Sequence, residues 1–342
     1  MVTSRRLKRS HYRLLGLVGH GQFGRVYCAV HRRTGELVAL KDLNRDRFST
    51  HKFLRELRFL LSLEHPNIAT CQALEHSATG RQLVLDYCEG GTLRYLIEYA
   101  VPLSLAEVLQ FIRDILRALD HAHHQGIVHC DIKPENVLLA IAPGGWKAKI
   151  SDFGIARLSR ESSESEIGHT GSPAYMAPER FYNQHPASSD LYAVGIILYE
   201  LLTGTRPFSG TPSELMGAHL NQRPQIPDFL PAPLSEIVRK SLQKLLAKRY
   251  KTAGEMLEAI ELAEQQLSPE RLALPMRDTR EAPVTAPALP FVTLPHPVHN
   301  LQIVNLPLKR GNVAEGAQTD SSETSAGMLL ITCYQKQIWF YH

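Results

Sequence analysis

A chain of 342 residues with 44% hydrophobic and 21% charged residues is long enough for one large or two ordinary domains and has the make-up of an ordinary globular protein. A formal net charge of +4 is small for this length and gives no reason to expect nucleic acid or an anionic membrane as a partner. The basic start MVTSRRLKRSHYR lacks the apolar stretch of a secretory signal, no run approaches the roughly 18 apolar residues of a spanning helix, and the five cysteines form no C-x-x-C pair. These features predict a cytoplasmic protein with reduced thiols and no transmembrane anchor.

In chain order, residues 1–11 read as a basic extension. Tyr12 to about Val30 reads as two short strands joined by a Gly-rich turn, and Leu37 to Leu40 as a short β-rich run after Thr34-Gly35. Phe53, Leu54, Leu57, Leu60 and Leu61 recur at helical spacing and stop before His65-Pro66. Gln82 to Tyr87 is another strand, broken by Glu89-Gly90-Gly91. Leu105 to His124 then forms a long amphipathic helix, Asp190 to Leu202 an apolar and buried one, and Ser235 to Leu246 and Ala253 to Leu262 two more. The expected architecture is α+β, with a small β-rich lobe carrying one helix (about 12–87), a larger helical lobe (about 91–262), and a ligand cleft between them. Eight prolines between Pro269 and Pro307, followed by the polar stretch Gly311 to Gly327, predict a flexible tail over 267–342 without a core of its own.

Three clusters bear on chemistry. Gly19-His20-Gly21-Gln22-Phe23-Gly24, with Val26 after it, fits G-x-G-x-x-G-x-V, where missing β-carbons let the backbone close over phosphate oxygens. Alone the pattern also fits a dinucleotide-binding turn or a flexible hairpin. The dinucleotide reading needs a helix to follow, and Arg25 to Val30 reads as a strand. Val38-Ala39-Leu40-Lys41 ends a strand on a lysine suited to the α- and β-phosphates, with Glu56 on the next helix as its expected ion-pair partner. The most specific cluster is His129-Cys-Asp-Ile-Lys-Pro-Glu-Asn136, which puts Asp131, Lys133 and Asn136 on one short loop. It supplies a carboxylate for a hydroxyl proton, a lysine for the moving phosphoryl, and an amide oxygen for magnesium. Asp152-Phe153-Gly154 adds a second magnesium ligand, and Mg²⁺ takes few protein ligands because it keeps several waters.

From about Tyr12 to Leu262 this ordered set resembles the eukaryotic-type (Hanks-type) serine/threonine protein kinase family, of the kind that also occurs in bacteria. The resemblance implies a two-lobed fold with ATP in the cleft, Mg²⁺ (or Mn²⁺ in its place), and transfer of the γ-phosphoryl to protein Ser/Thr hydroxyls. It implies Asp131 as catalytic base with Lys133, Lys41 and Glu56, and Asn136 and Asp152 on the metal. ATP would meet Val18, Gly19, His20, Gly21, Gln22, Phe23, Gly24, Val26, Ala39, Lys41, Asp86, Cys88 and Leu138, with Leu85 as gatekeeper. It further implies that Glu179 of Ala177-Pro-Glu179 pairs with Arg249, that Asp190 holds the catalytic-loop backbone, and that His129, Phe153, Leu60 and Leu74 stack between the lobes. Lys133 and the segment Gly171-Ser-Pro-Ala-Tyr175 match the Ser/Thr branch. A pseudokinase scaffold and a small-molecule kinase are the alternatives; Lys41, Asp131 and Asp152 argue against the first, and the complete stretch Gly171 to Glu179 against the second.

One position departs from the family. Cys130 stands where most members have an arginine that binds a phosphate on the activation loop, and Gly168 occupies the commonest phospho-acceptor position. The expectation is a kinase that does not need this switch. His121, His123 and His124 close a helix but point in different directions, which argues against a metal site. Met328 to His342 is a candidate docking segment for the kinase or a partner.

Overall fold

The computed structural model describes residues 10–21, 24–43, 61–76, 81–143, 145–153, 172–273, 301–305 and 329–333. The first part is an antiparallel sheet of β1 (Tyr12–Gly21), β2 (Gly24–His31), β3 (Leu37–Leu43), β4 (Cys71–His76) and β5 (Arg81–Asp86), ordered β1-β2-β3-β5-β4. Alternation along β3 decides what faces what. Val38 and Leu40 cluster with Ala29 and Val84, while Ala39 and Lys41 lie on the other face. Lys41 is therefore buried within the strand, paired with Val26 on one side and Leu83 on the other.

Gly24 begins β2 with φ of 134°, and a β-carbon there would lie 2.2 Å from the Asp42 carbonyl oxygen of β3. Both the left-handed backbone and the close approach of strands require glycine at that position.

The helical part comprises α1 (Leu93–Glu98), α2 (Leu105–His124), α3 (Ser188–Thr203), α4 (Pro212–Asn221), α5 (Ala232–Ser241) and α6 (Ala253–Gln265), with the hairpin β6 (Val137–Ala142) and β7 (Gly145–Ile150) lying before α3. Helix α2 begins with a reciprocal capping box between Ser104 and Glu107 and buries Leu105, Val108, Leu109, Ile112, Ile115, Leu116 and Leu119. Each fully buried side chain of this kind contributes about 1.5–3 kcal/mol. Helix α3 is buried from Ser189 to Leu202, and a β-carbon on its Gly195 would meet Ser241 Oγ at 2.4 Å, so α5 packs directly on its backbone.

The two parts are stitched along β7. Ile150 N–H donates to Asn67 O at 2.8 Å, Ala69 N–H to Ile150 O at 2.9 Å, and the Asn67 side chain to Ala148 O at 3.0 Å. Lys149 reaches Asp86 at 2.7 Å from the same strand.

Several sequence expectations change. Strand β3 runs two residues past Lys41, because Asp42 and Leu43 pair with Gln82 and Arg81 and Gln82 Nε2 caps the Asp42 carboxylate at 2.7 Å. The helix expected over 235–246 ends at Ser241, and a separate 3₁₀ turn follows at Leu246–Lys248. Beyond the helix end, the Arg249 guanidinium takes the carbonyls of Gln243 and Lys244. Strands β4 and β7 and helices α1 and α4 were not anticipated. The tail carries a short helix α7 (Pro269–Ala273) and an antiparallel pair, β8 (Leu301–Asn305) with β9 (Leu329–Cys333), where no element was expected. Both strands carry β-branched residues, Ile303 and Val304 in β8 and Ile331 and Thr332 in β9, which suit a pleated pair. Among the described residues, no helix is long and apolar enough to cross a membrane.

Candidate active site

The loop from His129 to Asn136 is held from beneath by Asp190, on the first turn of α3. Its Oδ2 accepts from His129 N–H and its Oδ1 from Cys130 N–H, both at 2.9 Å. His123, at the end of α2, donates to Asp190 Oδ2 at 2.9 Å. Burial alone would push the Asp190 carboxyl up; the His123 hydrogen bond and the neighbouring histidines outweigh it and hold it below the usual carboxylate range. His123 is thus an anchor for the loop, a role no local pattern showed.

Above that anchor, Asp131 Oδ2 meets Lys133 Nζ at 2.8 Å and Asn136 Nδ2 at 3.1 Å, and Asn136 Nδ2 also donates to Asp131 O at 2.7 Å. The 3₁₀ turn Pro134–Asn136 produces this geometry by folding Asn136 back over the loop. His129 Nδ1 accepts from Asp131 N–H at 3.1 Å, so its Nε2 carries the hydrogen that reaches Ser151 O at 2.8 Å. The His129 ring meets Phe153 edge-on with centroids 4.7 Å apart.

Lys41 comes down from β3 to Asp152, with Nζ 2.6 Å from Oδ1. Asp152 has a left-handed backbone at φ of 65°. Burial would raise its carboxyl, but Lys41 in contact and His129 and Lys133 nearby lower it, so it is ionised at neutral pH. Gly19 lies opposite Val26 across the hairpin, and a β-carbon on it would meet only ordinary contacts at 3.7 Å. Its glycine is not required by packing, unlike that of Gly24. Val18, Val26 and Leu138 are half-buried, and Ala39 and Cys88 buried, around the same sheet and β6. Asp86 turns its side chain to Lys149, Gln72 and Thr70 N–H, and its own N–H to Thr70 O. Leu85 is half-buried in β5, and Leu74 in β4 opposite Leu83. Glu56, Leu60, Gln22, Phe23 and Gly168, and the side chain of His20, lie outside the described residues.

Behind the loop, Glu179 and Arg249 form a bidentate pair, two contacts of 2.7 Å, with Ser189 Oγ donating to Glu179 at 2.6 Å. Arg180, directly after Glu179, donates to Cys130 O at 2.7 Å. Arg94 of α1 gathers Glu135 at 2.9 Å, Glu200 at 3.0 Å and the Tyr175 hydroxyl, joining the loop, the segment 172–176 and α3. Sequence reading missed Arg94, Arg180 and Lys149, since each partner lies tens of residues away.

A sheet-plus-helix architecture with lysine, carboxylate and amide groups converging between its two parts is the arrangement of protein kinases. The protein kinase domain family matches residues 12–261, and the chain belongs to that family, with eukaryotic-type serine/threonine kinases among its relatives. It is similar to the "Probable serine/threonine-protein kinase PknB" of Lactococcus lactis, 32% identical over 273 residues that cover 75% of this chain and 42% of that protein. It is also similar to serine/threonine-protein kinase PkaA of Streptomyces coelicolor, 37% identical over 254 residues, covering 69% of this chain and 47% of the relative. With human serine/threonine-protein kinase ULK1 it shares 34% over 242 residues, 67% of this chain and 23% of that one. The chain thus spans less than half the length of each of these relatives.

Proposed function

We propose that this chain transfers the γ-phosphoryl of ATP to serine and threonine hydroxyls of proteins, with Asp131 as the base. The observation that carries the reading is the convergence of Asp131, Lys133 and Asn136 on one clamped loop facing the Lys41–Asp152 pair. Lys133 and Asn136 both engage Asp131 Oδ2, which leaves Oδ1 to accept the proton of an approaching hydroxyl. Lys133 is then beside the oxygen that attacks and neutralises charge on the phosphoryl as it moves. Lys41 orients the α- and β-phosphates, and at Gly19 the missing β-carbon lets the backbone approach their oxygens closely. Val26, Ala39 and Leu138 hold the adenine, with Asp86 and Cys88 on its edge.

The donor set suits magnesium: an ionised carboxylate on Asp152, and an amide oxygen on Asn136 whose nitrogen is already spent on Asp131. When bound there, Mg²⁺ (or Mn²⁺) neutralises phosphate charge. Ser172 and Lys133 support Ser/Thr over tyrosine substrates, and Cys130 supports activity without a loop phosphate. Among the described residues Cys28, Cys71, Cys88 and Cys130 form no disulfide, which fits a reducing, cytoplasmic setting.

The test is labelled ATP with a generic basic protein, comparing the wild-type chain with Asp131→Asn. Label should enter protein serine and threonine, and fall about 10²–10⁴-fold in the variant. ATP binding without transfer would favour a scaffold, and label found only in small molecules a metabolite kinase. Phosphatase treatment beforehand should leave the rate within about twofold; a large loss would return control to a phosphate.

A further inference from the structure

Cys130 has φ of 68°, a left-handed backbone that a residue with a β-carbon seldom adopts and that its surroundings must hold in place. The peptide plane between Cys130 and Asp131 is the one that aims the base. It is gripped at both ends: the Cys130 carbonyl accepts from Arg180 Nη1 at 2.7 Å, and the Asp131 N–H donates to His129 Nδ1 at 3.1 Å. One step earlier, both N–H groups of His129 and Cys130 are taken by Asp190. Arg180 is thus the one side chain among the described residues shown gripping this plane from outside the loop and its α3 anchor.

The Arg180 guanidinium is buried, and its Nε has no partner among the described residues. A cavity of about 20 Å³ lies between it and the loop, lined by Cys130, Asp131, Ser172, Tyr175 and Met176. That is room for about one water molecule, so the guanidinium has little space to rotate away. Arg180 also follows directly on Glu179, itself fixed by two 2.7 Å bonds to buried Arg249.

We infer that Arg180 is a positioning residue for Asp131, acting through the Cys130 carbonyl and tying the orientation of the base to the segment 172–180 against which a peptide would lie. The inference rests on the phosphotransfer reading above and deepens it, for this clamp is assembled by folding and needs no added phosphate. Removing it leaves the charge and identity of Asp131 intact while loosening its direction. A misaligned base slows the chemical step, and small displacements of this kind cost up to about a hundredfold. ATP contacts come from other elements and should be unchanged.

The experiment measures kcat, the KM for ATP and thermal melting for the full chain, for Arg180→Met and for Arg180→Lys. Arg180→Met keeps the stem and loses the donor, and kcat should fall between about tenfold and a hundredfold with the KM for ATP within twofold of wild type. Arg180→Lys restores one donor and should recover kcat to within about threefold of wild type. A kcat for Arg180→Met within twofold of wild type overturns the inference, as does a KM for ATP that rises in step with the loss. Should Arg180→Met fail to fold, Arg180→Gln, too short to reach the Cys130 carbonyl in the same way, takes its place with the same two outcomes: a tenfold or greater fall in kcat with unchanged melting supports the clamp, and a kcat within twofold of wild type refutes it. A wild-type chain that binds ATP but transfers nothing refutes the kinase reading itself, and this inference with it.

Discussion

Arg249→Met tests the buried pair that lies behind the loop His129 to Asn136. The arginine side chain is fully buried and Glu179 is 7% exposed, so neither charge has water to fall back on. Arg249 makes two 2.7 Å bonds to Glu179, donates to the Gln243 and Lys244 carbonyls, and lies 4.8 Å over the Tyr192 ring. Methionine keeps much of the stem and its packing, which isolates the loss of charge and donors. Glu179 would keep only Ser189 as a side-chain donor among these partners. Breaking a buried pair from one side costs about 3–5 kcal/mol, and for a domain of this size about 2–4 °C per kcal/mol gives a fall in Tm of roughly 6–20 °C. The pH dependence adds a sign. Burial would raise the Glu179 carboxyl, but its bonds to Arg249 hold it below 4.5, so in the wild type its contribution is present at neutral pH and is lost only as pH falls through the folded pKa. In the variant the orphaned carboxylate is relieved by protonation, so the gap to wild type should narrow between pH 7 and pH 5. Urea denaturation at the two pH values measures both quantities. A gap under about 1 kcal/mol at pH 7, or one that widens on acidification, would refute the reasoning.

His219 is fully buried among Tyr192, Phe208 and Phe181, and burial first, with Lys244 second, pushes its imidazole down from 6.5 to about 4. Between those values the unfolded chain binds more protons, so stability should rise with pH by up to about 3 kcal/mol from pH 4 to 6.5. In His219→Phe, thermal melting should lose that slope; an unchanged slope assigns it to other groups. Gly24→Ala places a methyl 2.2 Å from the Asp42 carbonyl at a left-handed φ and should cost about 1–3 kcal/mol, seen as faster amide exchange in β2 and β3. Asp190→Ala strands the N–H groups of His129 and Cys130 and the His123 ring. At about 1–3 kcal/mol for each unmet donor it should lower Tm and kcat together, and a folded variant with full kcat would remove Asp190 from the account.

The residues proposed to carry the chemistry could be singled out because their spacing within single short segments is itself the signal. Asp131, Lys133 and Asn136 lie within six residues of one another, and a single 3₁₀ turn brings them together. The bounds of α2 were equally plain, since its amphipathic spacing runs from Leu105 to His124, and the structure adds the Ser104–Glu107 box that starts it. Strands β4 and β7 were not, because CQALEH and GWKAKI mix polar and charged residues and hold no apolar run; they become strands beside β5 and β6. The helix over 235–246 was overextended because the apolar spacing of Leu242, Leu245 and Leu246 continues past its end at Ser241, while the Gln243 and Lys244 carbonyls bond to Arg249. The sequence by itself determined which side chains are candidates for the proposed phosphoryl transfer and in what order they occur. Only the tertiary structure decided what aims them: His123 behind the Asp190 that the resemblance had already placed under the loop, Arg180 at the Cys130 carbonyl, and Lys41 against Asp152 across the lobes. Each of those contacts joins groups tens of residues apart, and its distance is set by how β3, α2 and α3 pack rather than by any local spacing.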